Sequence, residues 1–405
     1  MIQNIIHRLL LRRHFWRYAT FGEIAEIYAS RTMRILAQQM IGIFIAIYLY
    51  QTGYKLDFIA LFFASMFAAR IFIAYPAARF IAHFGPKHGS LAGNLLYIPA
   101  LICFTLVPHY GTPALVVFAI FQSLSMVVYD LSYMVNFSKV KHADHAGKEI
   151  GYMLILERVT ASVSPFIGGA LAYFIAPEAT MWFSALFFAV ASVPLFRTKE
   201  PVRLGQKLSF RKFPIREARR SIMAETAVGF DNFSSLSIWA LFLAVIVFGA
   251  TTNQVYLIIG GLASVTIATS LLAAYWFGRV IDRKRGGDLL TIATASNALT
   301  HIFRAFITGP SGAVAANISN DIATTGYSMT FLRGIFDTAD RLEGYRIAYL
   351  CCISMALNVG AALCALIFFA LLHITSDTEL AFRLFFVIAG SYVLLTLTAR
   401  FRLYR

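Results

Sequence analysis

The chain has 405 residues, of which 59% are hydrophobic and only 14% charged. Its formal net charge is +15 and its mean hydropathy +0.69. A water-soluble domain needs polar residues for its exterior, so this composition excludes one. The basic residues lie between apolar runs of membrane-crossing length, which makes them topology determinants and argues against nucleic acid as a partner.

Residues 1–20 mix Arg8, Arg12, Arg13 and Arg17 with Ile5, Leu9, Leu10 and Trp16, and no small-residue cleavage site follows. This pattern predicts an amphipathic segment lying on the cytoplasmic leaflet rather than a cleaved signal. A hydrocarbon core about 30 Å thick needs roughly 20 helical residues. Runs of that kind occur at 33–53, 56–82, 89–107, 113–137, 150–176 and 179–196. Six more follow at 223–250, 254–279, 288–308, 311–332, 345–373 and 379–399. They are too long, and alternate too little, for β-barrel strands. The reading is an all-α polytopic membrane protein, with twelve transmembrane helices in two pseudo-symmetric six-helix bundles. Residues 1–196 form the first bundle, 197–222 a basic cytoplasmic linker that touches anionic lipid headgroups, and 223–405 the second bundle.

The connections alternate in charge. One set holds the Arg-rich N-terminus, 83–88, 139–148, 197–220, 279–285, 333–346 and 400–405. The other set, at 51–57, 108–113, 177–179, 251–253, 308–312 and 373–379, contains a single Lys or Arg, Lys55. Clustered basic residues stay inside, so both termini are expected in the cytoplasm of a cell with the protein in its inner membrane. The halves also echo each other. Tyr133-Met134-Val135 and Tyr327-Ser328-Met329 each close a fourth span, and Gly151-Tyr152 and Gly344-Tyr345 each open a fifth. That is the trace expected of a duplicated six-helix unit.

Cys103, Cys351, Cys352 and Cys364 all fall inside apolar runs. Without a spaced framework or ligand spacing with His, they read as packing residues, and neither disulfides nor a metal is expected. No G-x-x-x-x-G-K-[ST] sequence is present, so direct use of ATP is not expected, and no cluster of nucleophile, base and ligands suggests an enzyme.

Two motifs carry a family resemblance. Between the eighth and ninth runs stands Gly278-Arg279-Val280-Ile281-Asp282-Arg283-Lys284-Arg285-Gly286, a short, basic, glycine-bounded loop. It resembles the signature loop of the major facilitator superfamily of secondary transporters. The resemblance implies that Gly278 lets two helices approach closely. It also implies that Asp282, with Arg283 beside it, meets a helix N-terminus and nearby Arg and clamps one conformation. The corresponding first-half loop departs from the pattern: Ala82 stands at the Asp position, and Gly85 and Lys87 are what remains. In the fifth span Gly151, Thr160, Ser164, Pro165, Gly168 and Gly169 follow a spacing that resembles the glycine-proline motif of drug–proton antiporters, with Thr160 and Ser164 replacing two glycines. Small residues at that spacing make a smooth groove for a neighbouring helix, and Pro165 removes a backbone donor. The Arg found in the family's fourth span is missing, and Asp130 lies there instead.

Ionisable groups inside spans are costly and point to function. Asp321 lies roughly 15 Å from the outer end of the tenth span at about 1.5 Å per residue, near the midplane. Asn317 shares its face at i−4. Asp321, Glu157 and Asp231 are the candidates for proton coupling or substrate binding, with Asn317, Gln38 and Gln39 as cavity-lining groups. Asp130 is a mate for Arg158; Arg31 and Arg34 are expected to snorkel inward, and Arg304 and Arg383 outward. The expected function is secondary active transport of a small solute by alternating access, coupled to protons, without a cofactor, by a monomer in contact with membrane lipids. Its direction would be efflux of hydrophobic compounds. The few charges inside spans argue against a polyanionic solute. The other reading is a non-pumping protein of the same fold, lipid flippase-like or sensory.

Overall fold

The computed structural model describes residues 21–140, 146–196, 208–249, 252–265, 267–283, 285–342 and 344–404. Every regular element among them is helical. Among the described residues the helices make twelve passes. The first half comprises Phe21–Gly42 continued by Ile45–Gln51, then Leu56–Phe84, Pro86–Thr105, Thr112–Val140, Ala146–Phe174 and Pro177–Ser192. The second comprises Ile215–Phe233 continued through Trp239–Phe242, Gln254–Val265 with Ile267–Asp282, Gly286–Arg304, Pro310–Arg341, Arg346–Ile374 and Thr378–Val393. They are called the first to twelfth spans below. Residues 1–20, where an amphipathic segment was expected, and residues 197–207 of the linker lie outside the described residues.

Among the described residues, eight stretches are long and apolar enough to cross a bilayer by composition alone. The third, ninth and tenth spans are not among them, because they carry more of the polar residues; the fifth is described only in part. Pro310–Arg341, for example, holds Asn317, Asn320 and Asp321. Lipid contact falls to outward residues such as Phe72, Phe174 and Phe306, each more than two-thirds exposed.

Two boundaries differ from the sequence reading. The seventh span begins at Ile215, directly after Pro214, rather than at 223. Its first turns bury Ala218 and Ser221 while Arg216, Arg219 and Arg220 stay exposed. Averaged hydropathy scores this amphipathic start as loop. The tenth span runs on to Arg341 rather than ending near 332, since Ile335, Phe336 and Ala339 are buried and Asp337 pairs with Arg341 at 2.8 Å.

The halves meet chiefly through two helix pairs, the second span on the eleventh and the fifth on the eighth. The fifth–eighth seam depends on glycine. A Cβ at Gly169 would overlap the Tyr256 carbonyl, and one at Gly260 would overlap that of Pro165. Backbones touch there because neither helix carries a side chain between them. Gly168 abuts the Met40 carbonyl of the first span in the same way. At the less basic end the Phe44 and Tyr256 rings stack edge to face at 5.3 Å, and Gln51 Nε2 donates to the Thr252 carbonyl at 3.3 Å. At the basic end Tyr129, Tyr133 and Phe336 share a small core. The two halves therefore touch at both ends of the bundle.

Candidate functional site

The densest buried polar cluster is in the second half. Asp231 lies midway along the stretch Ile215–Phe248 and is buried. His301 Nε2 of the ninth span is 2.6 Å from its Oδ1. Tyr327 of the tenth span donates its hydroxyl to Oδ2. Ser235 Oγ is 3.1 Å from Oδ1 and equally 3.1 Å from Asn320 Oδ1, so its single hydroxyl hydrogen has two acceptors. Arg304 donates from Nη1 to Ser235 Oγ at 2.9 Å and approaches His301 Nδ1 at 3.4 Å. Those partners assign the imidazole tautomer: Nδ1 accepts from the guanidinium and Nε2–H donates to Asp231. Arg304 lies face-on to Trp239, 4.7 Å from the ring centroid, and Trp239 Nε1 donates to Asn317 Oδ1 at 2.7 Å.

Local structure explains this convergence. Asp231, Ser235 and Trp239 recur every fourth residue and so share a face of the seventh span. The chain is π-helical over Ser234–Ile238, within that face. Such bulges widen a helix by one residue per turn and are frequent at functional sites. The arrangement joins the seventh, ninth and tenth spans through one carboxylate. A proton arriving on Asp231 turns an acceptor of three bonds into a group that must donate one. Ser235 is then freed toward Asn320 and the grip on the tenth span changes. A proton is thereby linked to helix packing.

The first half has a counterpart of opposite sign. Arg34 of the first span is fully buried and donates to Asn94 Oδ1 at 3.0 Å and Ser125 Oγ at 3.4 Å, over the Tyr129 ring at 3.7 Å. One turn away Arg31 Nε is 2.8 Å from Glu157 Oε1, Arg31 Nη1 is 3.8 Å from Asp130, and Tyr133 donates to Glu157 at 3.0 Å. In each half, then, an ionised residue on the opening span is gripped by the third and fourth spans of that half.

The structure brings together Asp231, Asn317 and, within electrostatic reach of Arg304, Asp321. Glu157 belongs to the separate first-half cluster. Gln38 and Gln39 are half-buried on the first span. Several pairings differ from those the sequence suggested. Asp130 takes Arg31 rather than Arg158. Arg34 and Arg304 do not snorkel, because Asn94, Ser125 and Ser235 offer them hydrogen bonds inside the bundle. Arg383 is held by Glu379 at 2.6 Å. The close approach implied at Gly278 is absent in this conformation, where a Cβ would meet open space, and Arg283 is exposed. The Asp282 side chain and the surroundings of Gly151 lie outside the described residues.

Sequence reading missed His301 and Arg70. His301 sits near the end of an assigned run, where a histidine passes for an interfacial one. Arg70 is a charge at the midpoint of Leu56–Phe84, far from Asp57 and Arg79 nearer its ends, a signal that was present and unused. It is 7% exposed and donates to Gln122 Oε1.

Residues 27–338 match the family model described as Major Facilitator Superfamily. No curated protein matches the chain. Among solved structures, a major facilitator transporter, FucP, in its outward conformation is 12% identical with a TM-score of 0.67, over 93% of this chain and 98% of that one. A variant of the E. coli Fucose:proton symporter FucP is 12% identical with a TM-score of 0.65, over 94% and 99%. At that identity the likeness concerns the fold. The family model covers more than half of the chain and the twelve-span architecture agrees with it: the chain belongs to the major facilitator superfamily and is an integral membrane transporter, not an enzyme.

Proposed function

We propose that the protein moves a small solute by alternating access and couples that movement to protons through Asp231. The observation that carries the coupling is the buried Asp231–His301–Tyr327–Ser235 cluster, which ties three spans to one titratable carboxylate. Asp321 and Glu157 are second choices. Asp321 acts on Arg304 from the same cluster, and Glu157 is committed to Arg31. FucP, which shares the fold, is a fucose:proton symporter, whereas the fifth-span motif resembles that of antiporters, which favours efflux of hydrophobic compounds as the second reading. The working unit is a monomer of two rocking bundles, 1–196 and 215–405, joined by 197–214.

Accumulation in proteoliposomes under an imposed pH gradient tests the reading. Equal uptake with and without the gradient would leave a non-pumping protein of this fold. In the same assay Asp282→Asn, which keeps shape and removes charge, is expected to slow turnover with the protein still folded. Unchanged turnover would end the clamp role that the loop resemblance implies. Both termini and residues 197–220 are placed in the cytoplasm on the loop charges, in the inner membrane. A cysteine introduced at 205 that reacts with an impermeant reagent from outside would reverse that orientation.

A further inference from the structure

Arg70 occupies the face of the second span that meets the other half. Phe67, three residues before it, packs on Phe233 of the seventh span at 4.9 Å between ring centroids. Ala74, four residues after it, accepts a hydrogen bond from Cys351 Sγ of the eleventh span at 3.5 Å. Contacts with the second half thus bracket Arg70 on both sides, at the midpoint of its span.

Its hydrogen bonding is incomplete. Gln122 Oε1 is its one hydrogen-bonded acceptor among the described residues, and Nε is buried without any. Gln122 is itself fixed, since its Nε2 donates to Tyr97 OH at 3.4 Å. The first half's carboxylates are engaged elsewhere: Glu157 lies on Arg31, and Asp130, which acts weakly on Arg70 from a distance, is also turned to Arg31 and is 43% exposed. A guanidinium in a dry interior demands an anion or a full set of acceptors. Arg34 in the same half also leaves Nε without an acceptor, but its terminal nitrogens reach both Asn94 and Ser125, over the Tyr129 ring. Arg70 has one acceptor, Gln122, and the Phe67 ring 4.8 Å from its guanidinium carbon, on the face of the second span that meets the seam.

We propose that Arg70, braced by Gln122, is the binding point for a carboxylate, which makes the transported solute an organic acid. This rests on the transporter reading, in which the seam is the solute's path. Nε and the second hydrogen of Nη2, whose other hydrogen goes to Gln122, form the planar fork that matches a carboxylate with two parallel hydrogen bonds. The surroundings at Phe67, Phe233 and Tyr97 are aromatic, so the rest of the acid is apolar or aromatic rather than a second charge.

Thermal unfolding of the purified full chain is measured with acetate, lactate, succinate, benzoate, phenylacetate and octanoate. Each is set beside its uncharged amide, with benzylamine as the cation. At least one monocarboxylate is expected to raise Tm while its amide and the amine do not. Arg70→Gln is expected to weaken that binding by about ten- to a hundredfold, the loss of a charge-assisted pair. Arg70→Lys, which keeps the charge and loses the fork, is expected to fall between. Stabilisation by amides or amine alone, equal shifts for acid and amide, or no shift with any acid overturns the proposal. So does an Arg70→Gln protein that folds and still binds the acid. The wild-type comparison of acid with amide stands even if the variant does not fold. An acid that binds through Arg70 but is not accumulated under a pH gradient sustains the anion site and defeats proton-coupled transport. Gradient-driven accumulation of a neutral solute alone does the reverse.

Discussion

Replacing Asp231 with asparagine is expected to abolish gradient-driven accumulation while solute exchange without a gradient continues. The substitution keeps the shape of the side chain and removes the titration. In the native cluster the carboxylate accepts from His301, Tyr327 and Ser235. Asparagine keeps one acceptor oxygen and adds an amide that points a donor at donors. The amide resembles the protonated state, so the seventh, ninth and tenth spans should still rock but carry no proton. Driven uptake and exchange, measured side by side in the same vesicles, separate the roles. Intact driven uptake in the variant would falsify coupling at Asp231 and move it to Asp321 or Glu157. Loss of both modes would assign Asp231 to architecture or substrate instead. Asp321→Asn is the informative companion. Its expected effect is smaller, because Arg304 also bonds Ser235 and keeps that tie when Asp321 loses its charge.

Arg31→Leu is expected to cost the first half a large share of its stability. It strands Glu157, to which Arg31 lies at 2.8 Å, and removes the 3.8 Å neighbour of Asp130. Breaking a buried pair from one side typically costs about 3–5 kcal/mol, because the remaining charge keeps its desolvation without its partner. Arg31 and Glu157 are 18% and 19% exposed, so a value near the lower end, about 3 kcal/mol, is expected. Removing both charges in Arg31→Leu/Glu157→Leu should restore most of it, since two apolar groups of similar size repack the first and fifth spans. Unfolding in lipid or detergent measures all three proteins. A cost below about 1 kcal/mol for the single variant would mean the pair is screened like a surface one.

The pattern of these sites shows where reading along the chain succeeds. Spans are local: a helix crosses when some twenty consecutive residues prefer hydrocarbon, whatever lies beside it. The Leu56–Phe84 and Arg346–Ile374 helices were therefore legible as 56–82 and 345–373. The short basic loop at 279–285 was legible for the same reason, and with Gly278 and Asp282 it pointed to the family. Hydropathy misplaced the start of the seventh span, because Arg216, Arg219 and Arg220 sit on one helical face and an average over a window has no faces.

Charge partners were a different matter. Asp231 was singled out as an ionisable residue within a span, but His301 is 70 residues away in sequence and Arg31 is 126 from Glu157. Which guanidinium stays inside depends on whether a carbonyl, hydroxyl or carboxylate from another helix reaches it. Arg34 and Arg304 were expected to extend to the interface because a long side chain in an isolated helix does so; inside a bundle, Asn94 and Ser235 are nearer than water. The amino-acid sequence by itself determined the number of spans, which depends on the transfer of local segments into lipid, and pointed to the superfamily through the short loop that holds Gly278 and Asp282. Only the packing of one helix against another decided which charges meet, which keep a donor unused beside the seam, and hence where a proton and a solute are to be looked for.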